Sequence, residues 1–313
     1  MATIGNARNW FQSQSKSLVK VFDKTNPLAP ILYPEWLNTL EGDADRSFFQ
    51  VLPFYGFGML QYLPDGGSPA LDQGGEGTPS FFPYVQYALK YGVTKPGRKE
   101  DPYKINAKLP KFLKYASDQT WENLLWNILS QSFNVSPAAA IWDGQPLCST
   151  THALAGSATT YSNSLGNVAL TPETLQQAFV LMQTLPDDKN LASYRTPKQL
   201  ITVPSYQRIA EEVTGAQYYP WSNENRPNVV YGKAKPLIVR YIPTAANGPF
   251  PWWVSAGKGD LGMDAHASFV SFKWKDEQKV WYDDDTDVMY HKIESRLTWG
   301  SVDGRGLVGS NGA

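Results

Sequence analysis

Residues 64–79 read PDGGSPALDQGGEGTP, and they constrain the chain more than any other stretch. Glycine and proline interrupt helices and central strands alike. A segment this rich in both is therefore a connection, and one of this length inside a compact domain is uncommon unless it projects for a purpose. Its flanks are strand-like. Residues 48–63 are aromatic and punctuated by glycine, and in 85–94 Val85, Tyr87, Leu89, Tyr91 and Val93 alternate with Gln86, Ala88, Lys90, Gly92 and Thr94. That period of two predicts a strand with one buried face. Together the pieces predict a long hairpin with a flexible tip, and a lone two-stranded hairpin is marginal in water. It needs a surface to lie on.

Composition points the same way. Apolar residues make up 42% of the 313-residue chain and charged residues only 18%, against a usual charged share of about 25%. The surplus is aromatic, with 11 Trp, 17 Tyr and 14 Phe, the side chains that bury most area and are enriched at interfaces. Such a chain has a large core or hides surface against partners. Lys and Arg number 28 against 29 Asp and Glu, a net of −1, which argues against a strongly basic nucleic-acid binder and an acidic tail. Cys148 is the single cysteine. This excludes an internal disulfide framework and a multi-cysteine zinc site, and it suits a reducing cytoplasm. Neither a signal-peptide apolar region in Met1 to Lys24 nor a run of about 18 uncharged apolar residues is present, so no membrane partner is expected.

Along the chain, residues 1–46 begin with an amphipathic turn or two (Trp10, Phe11, Leu18, Phe22) and loosen into Pro27, Pro30 and Pro34. They read as an arm with too few apolar residues for a core of its own. In 101–133, Lys104, Lys108, Lys111 and Lys114 fall on one side of a predicted helix, while Trp121, Leu124, Leu125, Ile128, Leu129 and Phe133 recur at helical spacing. Pro110 predicts a kink or break there, with Asp118 capping a second segment. Leu170-Thr171-Pro172-Glu173 is a strong helix start, with Thr171 as N-cap and Leu170 placed to staple onto Leu175; Pro186 should stop it. A strand at 200–203, a helix at 206–213 closed by Gly215, and strands near 237–241 and 252–255 follow. The stretch 269–299 is again strand-like, with Met289, Ile293 and Leu297 on one face. The whole predicts an α+β fold.

Motifs for chemistry fail on context. Gly304 to Gly309 spell G-x-G-x-x-G, but only four residues follow, with no room for the phosphate-holding helix or the acidic residue about 20 positions on; a Gly-rich terminal loop is the expectation. Asp283, Asp285, Asp287 and Glu294 have calcium-loop spacing, yet Val288 stands where the sharp turn needs glycine. An acidic hairpin turn is the simpler reading. Cys148 and His152 are four apart in a loop-like run, and a lone cysteine is usually a small buried hydrophobe. His266 and His291 have no metal-ligand spacing. No catalytic, cofactor or metal residue is predicted. One charge pattern remains: 90–114 carries a local +6, and the hairpin, with Asp65, Asp72 and Glu76, a local −3. A solvated basic face is the default. Beyond it, Lys104, Lys108, Lys111 and Lys114 are candidates to meet an acidic surface such as Asp65, Asp72 and Glu76 of another copy, or DNA phosphates.

The order of parts (arm, long hairpin, long helix, α+β block, C-terminal strands) resembles the major capsid proteins of tailed bacteriophages, which share the Hong Kong 97 fold. Asp143-Gly144-Gln145-Pro146-Leu147-Cys148-Ser149-Thr150-Thr151-His152, Leu170-Thr171-Pro172-Glu173, Leu200-Ile201-Thr202-Val203-Pro204 and the ending Asp303-Gly304-Arg305-Gly306-Leu307-Val308-Gly309-Ser310 are similar to the Mu-type major head subunits. The resemblance covers about 45–313 and implies an N-terminal arm (1–46), an extended loop (47–94) and a peripheral domain with a spine helix (95–159). It further implies an axial domain (160–268) and return strands of the peripheral domain with the tail (269–313). It implies a structural protein, not an enzyme and without cofactors, that self-assembles as hexamers and pentamers into an icosahedral virion shell around double-stranded DNA, built in the bacterial host cytoplasm. A separate scaffolding protein, a portal and, where present, a cement protein are the implied partners. Some members weld subunits through a lysine of the extended loop; no lysine lies between Ser47 and Leu89, so no such bond from this loop is expected. Two other readings stay open: a carbohydrate-active enzyme using Asp260 with Asp264 or the Asp283 to Asp287 cluster, and a non-viral, encapsulin-like compartment shell.

Overall fold

The computed structural model describes the chain apart from residues 1–14, 28, 42–45, 53, 137–140, 156, 194, 220–225, 245–247, 258–268 and 274–275. Trp10, Phe11, Asp260, Asp264 and His266 lie outside the described residues. The first half contains α1 (15–24), β1 (Asn38–Glu41), β2 (Phe48–Val51), β3 (Phe54–Tyr55), β4 (Gly75–Glu76), β5 (Ser80–Pro83), β6 (Val85–Thr94), α2 (Lys95–Lys99) and α3 (Leu109–Ser130). Then come β7 (His152–Leu154), β8 (Ser157–Tyr161), α4 (Pro172–Thr184), β9 (Gln199–Thr202), α5 (Gln207–Gly215), β10 (Lys235–Ile238) and β11 (Trp252–Ser255). The chain closes with β12 (Phe269–Lys273), β13 (Glu277–Asp283), β14 (Val288–Ser301) and β15 (Leu307–Ser310).

Two sheets organise these elements. One runs β1-β12-β14-β13 with β6 also paired to β14, and the other runs β10-β9-β11-β15. The second sheet is covered on both faces, which is why its strands are almost continuously apolar. Trp253, Ile201 and Leu307 point to a core shared with Trp121, Leu125, Trp126, Ile128 and Leu129 of α3. Their neighbours Trp252, Leu200 and Val308 point to a second core with Leu175, Phe179 and Met182 of α4 and Val213 of α5. In the first sheet β14 shows the expected alternation: Met289, Ile293 and Leu297 are buried.

α4 starts as its sequence dictates. The Thr171 hydroxyl accepts from the Thr174 amide, Thr174 reaches back to the Thr171 amide, and Pro172 fills the first turn. Leu170 and Leu175 are buried in one cluster, and the helix ends before Pro186.

Four expectations need correction. Pro110 does not break a helix; it sits in the first turn of α3, where its missing N–H costs nothing. Asp118 is therefore no cap: it lies mid-helix, buried, and pairs with Lys114. β6 is not the return arm of the hairpin. It pairs antiparallel with β14 from Val85↔Leu297 to Thr94↔Val288, and the hairpin closes earlier, through β2 with β5 and β3 with β4. Gly304 to Gly309 is no loose terminal loop but leads into β15, buried against β11.

The arm is more deeply built in than its composition suggests. Trp36 and Leu37 belong to the main core, Trp36 stacking on Trp126 at 5.1 Å and Tyr33 on Trp121 at 6.2 Å. The buried Glu122 carboxylate holds this turn in place. Its Oε1 accepts the Leu32 amide at 2.6 Å and the Tyr33 amide at 3.4 Å, and Oε2 accepts the Trp126 indole N–H at 2.5 Å.

Candidate functional site

The hairpin projects from a small aromatic root. Phe82 and Val302 are buried together there, with Phe49, Val51 and Tyr84 packed on them, and the Phe82 ring stands against Gly300, where any Cβ would collide with it. Beyond β3 and β4 the paired strands stop, and the apolar side chains of the tip have no cover in the chain. Exposure is 67% for Phe57, 78% for Met59, 101% for Leu60, 91% for Tyr62 and 86% for Leu71.

The tip is nonetheless tied back to its own body. Asp72 accepts the Gly58 amide at 2.6 Å and the Lys189 ammonium at 2.9 Å, and Lys189 also reaches the Gln73 carbonyl at 3.2 Å. The same ammonium stands 5.6 Å from the centre of the Tyr55 ring. These contacts hold the Asp72 carboxyl below the usual carboxylate range, the Lys189 hydrogen bond being the largest cause. Lys189 comes from the turn after α4 and carried no signal in the sequence, because its partner is 117 positions away. Asp65 and Glu76 remain exposed on the hairpin.

The basic segment divides into spent and unspent charges. Lys90 lies over the Tyr290 ring at 4.9 Å, Arg98 over Tyr282 at 5.3 Å, Lys95 pairs with Asp287 at 3.5 Å, and Lys114 pairs with Asp118. Lys104 sits in a turn with φ of 53° rather than on the helix, and Lys108 is the N-cap residue of α3. Of the four lysines predicted to share a helix face, only Lys111 and Lys114 are helical. Lys104, Lys108 and Lys111 are exposed and have no carboxylate partner among the described residues. Nor does the chain bring Asp65, Asp72 or Glu76 onto any of these lysines.

Cys148, His152 and the Gly304 to Gly309 run are built into packing and hydrogen bonds of the body. Burial pushes the Cys148 thiol up to about 12, so it is no thiolate nucleophile. His152 does not serve it: its Nδ1 lies 2.8 Å from Asp143 Oδ2 and its Nε2 3.2 Å from Asn163 Oδ1. Asn163 donates at 2.8 Å to the carbonyls of both Leu147 and Gly304. The glycines of the G-x-G-x-x-G match answer to packing: a Cβ on Gly304 would stand 2.9 Å from Asn163 Nδ2, and one on Gly309 2.7 Å from Cys148 Sγ. Asp283 to Val288 is a tight hairpin turn between β13 and β14. Among the described residues no group of three or more His, Cys, Asp or Glu is placed to hold a metal ion, and no helix is long and apolar enough to cross a membrane.

A buried charge cluster under the hairpin escaped sequence reasoning. Arg305 donates to Asp188 at 2.6 Å and to Asp303 at 3.1 Å, Arg195 stands 3.6 Å from Asp303, and the Tyr161 hydroxyl donates to Asp303 at 3.3 Å. Phe54 and Tyr55 of the hairpin pass over Asp188, Asp303 and Arg305. The members are scattered over residues 161–305, so no local pattern announces them.

No family model matches the chain, and no curated protein matches it in sequence. Solved structures do match in three dimensions. The capsid of the native GTA particle superposes with a TM-score of 0.59 at 11% identity, covering 92% of this chain and 92% of that one. The mature capsid of bacteriophage PhiM1 gives 0.59 at 8% identity, with 93% and 89% covered. The chain has the Hong Kong 97 capsid fold. The capsid of bacteriophage JBD30 adds a TM-score of 0.58 at 11% identity over 71% of this chain and 94% of that one. At such identities the shared Hong Kong 97 fold lies in the path of the chain rather than in any set of side chains. The α+β expectation holds, and these structural neighbours are shell proteins rather than enzymes.

Proposed function

We propose that the chain is the major capsid subunit of a tailed bacteriophage, akin to the Mu-type head subunits, assembling as hexamers and pentamers into an icosahedral shell around double-stranded DNA. The observation that carries this reading is the bare hairpin. A run of large apolar side chains, among them Leu60, Tyr62 and Leu71 at 86% exposure or more, marks a surface made to be covered by protein. The capsid fold supports a second copy of the chain as that cover, since the solved neighbours are capsids.

On this reading residues 47–94 are the extended loop that lies over a neighbouring copy, 95–159 with 269–313 form the peripheral domain around α3, and 160–268 form the axial domain at the capsomer centre. Asp65 and Glu76 then meet exposed basic side chains of another copy, Lys104 among them, fixing register by charge. Asp72 and Lys114 contribute less, because each is already paired within its own chain. The shell forms in the host cytoplasm with a separate scaffolding protein and a portal, and accepts a cement protein where one exists.

The test is electron microscopy of particles purified with the chain, together with Leu60→Asp/Leu71→Asp. Angular DNA-filled shells from the wild type, lost in the double variant, support the proposal. Small tailless shells holding protein cargo favour a compartment shell instead, and a dispersed monomer that cleaves glycans overturns both.

A further inference from the structure

The arm helix and the spine helix face each other across a groove of about 480 Å³ lined by Ser17, Lys20, Val21, Lys24, Thr25, Asn26 and Lys111. α1 is locked there by Phe22, which is buried with Leu113 of α3, Ile293 of β14 and the partly buried Tyr91. Lys16, Lys20 and Lys24 stand at i, i+4 and i+8 on α1 and are all exposed. Like charges at that spacing disfavour a helix. Lys108 precedes Lys111 by one turn on the facing wall. No carboxylate lines the groove; Asp23, on α1, accepts from Gln278 at 2.8 Å, and Asp101 accepts the Ile105 amide at 2.9 Å and the Asn106 amide at 2.8 Å. Lys20, Lys24 and Lys111 thus converge on the groove with no carboxylate partner among the described residues, and Lys16 and Lys108 extend the charge along the two helices.

The lining identifies the missing anion. A protein partner calls for apolar and aromatic anchors, and lysine is depleted at such interfaces; Val21 is the sole apolar side chain here. A single-stranded nucleic acid calls for aromatic platforms on which bases stack, and the groove has none. Lysine with Ser, Thr and Asn is the set that contacts phosphate oxygens without reading sequence. We infer that the lysine groove between α1 and α3 binds the phosphate backbone of double-stranded DNA, which makes it the lumenal face of the subunit. That last clause rests on the capsid reading; the binding itself does not.

The experiment uses the unassembled full-length chain and a labelled random-sequence 25-base-pair duplex, with affinity read by fluorescence anisotropy across a salt series. For wild type, log K falls steeply with log salt; in Lys20→Gln/Lys24→Gln/Lys111→Gln the slope shrinks by about 0.9 per lysine removed. Lys198→Gln/Lys233→Gln leaves it unchanged, and circular dichroism confirms that each variant keeps its helix. An unchanged slope in the triple variant overturns the inference, as does tighter binding of a single strand or of polyglutamate than of the duplex. Microscopy of particles reports separately on the capsid reading, so that either can fail while the other stands.

Discussion

The ring of Phe82 stands against the bare backbone of Gly300, within the small apolar cluster from which the hairpin leaves the body. No positive φ is involved at Gly300; the glycine is required by space alone. Gly300→Ala should expel the ring and cost roughly 1–3 kcal/mol, measured by urea unfolding. Gly300→Ala combined with Phe82→Leu should recover part of the loss. Equal stability of Gly300→Ala and wild type would mean that the ring does not seat there.

Glu122 should prove the anchor of the arm. In Glu122→Gln the amide keeps one acceptor for the Leu32 and Tyr33 N–H groups but turns its NH₂ toward the Trp126 N–H, at a cost of about 1–3 kcal/mol. Burial pushes the Glu122 carboxyl above the usual carboxylate range. The folded chain therefore holds its proton to higher pH than the unfolded chain, and stability falls as pH rises through that window. The Gln variant should lack this slope in denaturation curves taken between pH 4 and 7.

Arg305→Met should be the most damaging of these changes. It leaves Asp188 without its cation and Asp303 with Arg195 alone, 3.6 Å away, a loss that typically costs about 3–5 kcal/mol. Adding Asp188→Asn should restore some of it, and calorimetric melting of the two single variants and the double variant gives the coupling directly. Strict additivity would show that the pair does not interact.

His291 should make the first sheet sensitive to mild acid. It is buried between Tyr91, whose hydroxyl lies 3.2 Å from Nδ1, and Gln278, whose Oε1 lies 3.4 Å from Nε2, with Phe22 edge-on at 6.3 Å. Burial lowers its pKa below the ordinary value near 6.5. The unfolded chain then takes the proton first, so stability is full above about pH 6.5 and declines as pH falls toward the lowered value. His291→Gln should flatten that decline between pH 7.5 and 5.5; an undiminished decline would place the sensitivity in another group.

What could be read from the sequence was whatever is decided locally. The Thr171 cap and Pro172 act within one turn, and the β14 alternation needs only its own residues, so both were legible. β6 shows the limit: its period of two marks a strand, but Val85 and Leu89 of the predicted inner face are exposed, and the strand that lies alongside is some 200 residues away. Pro110 misled because proline both ends helices and opens them, and only the fold distinguishes the two. Among the candidate site residues, Asp65, Glu76, Lys104, Lys108 and Lys111 are exposed. The pairing of Asp72 with Lys189, and the meeting of the α1 lysines with Lys111, are set by tertiary packing and leave no local trace.

Under the proposed assembly, the Lys189 to Asp72 tie bears on how one copy would receive another. Because Asp72 of the tip is tied to Lys189 of its own chain, part of the hairpin's conformational freedom is already restricted before any neighbour arrives. Association then forfeits less entropy than it would with a loose loop of the same length.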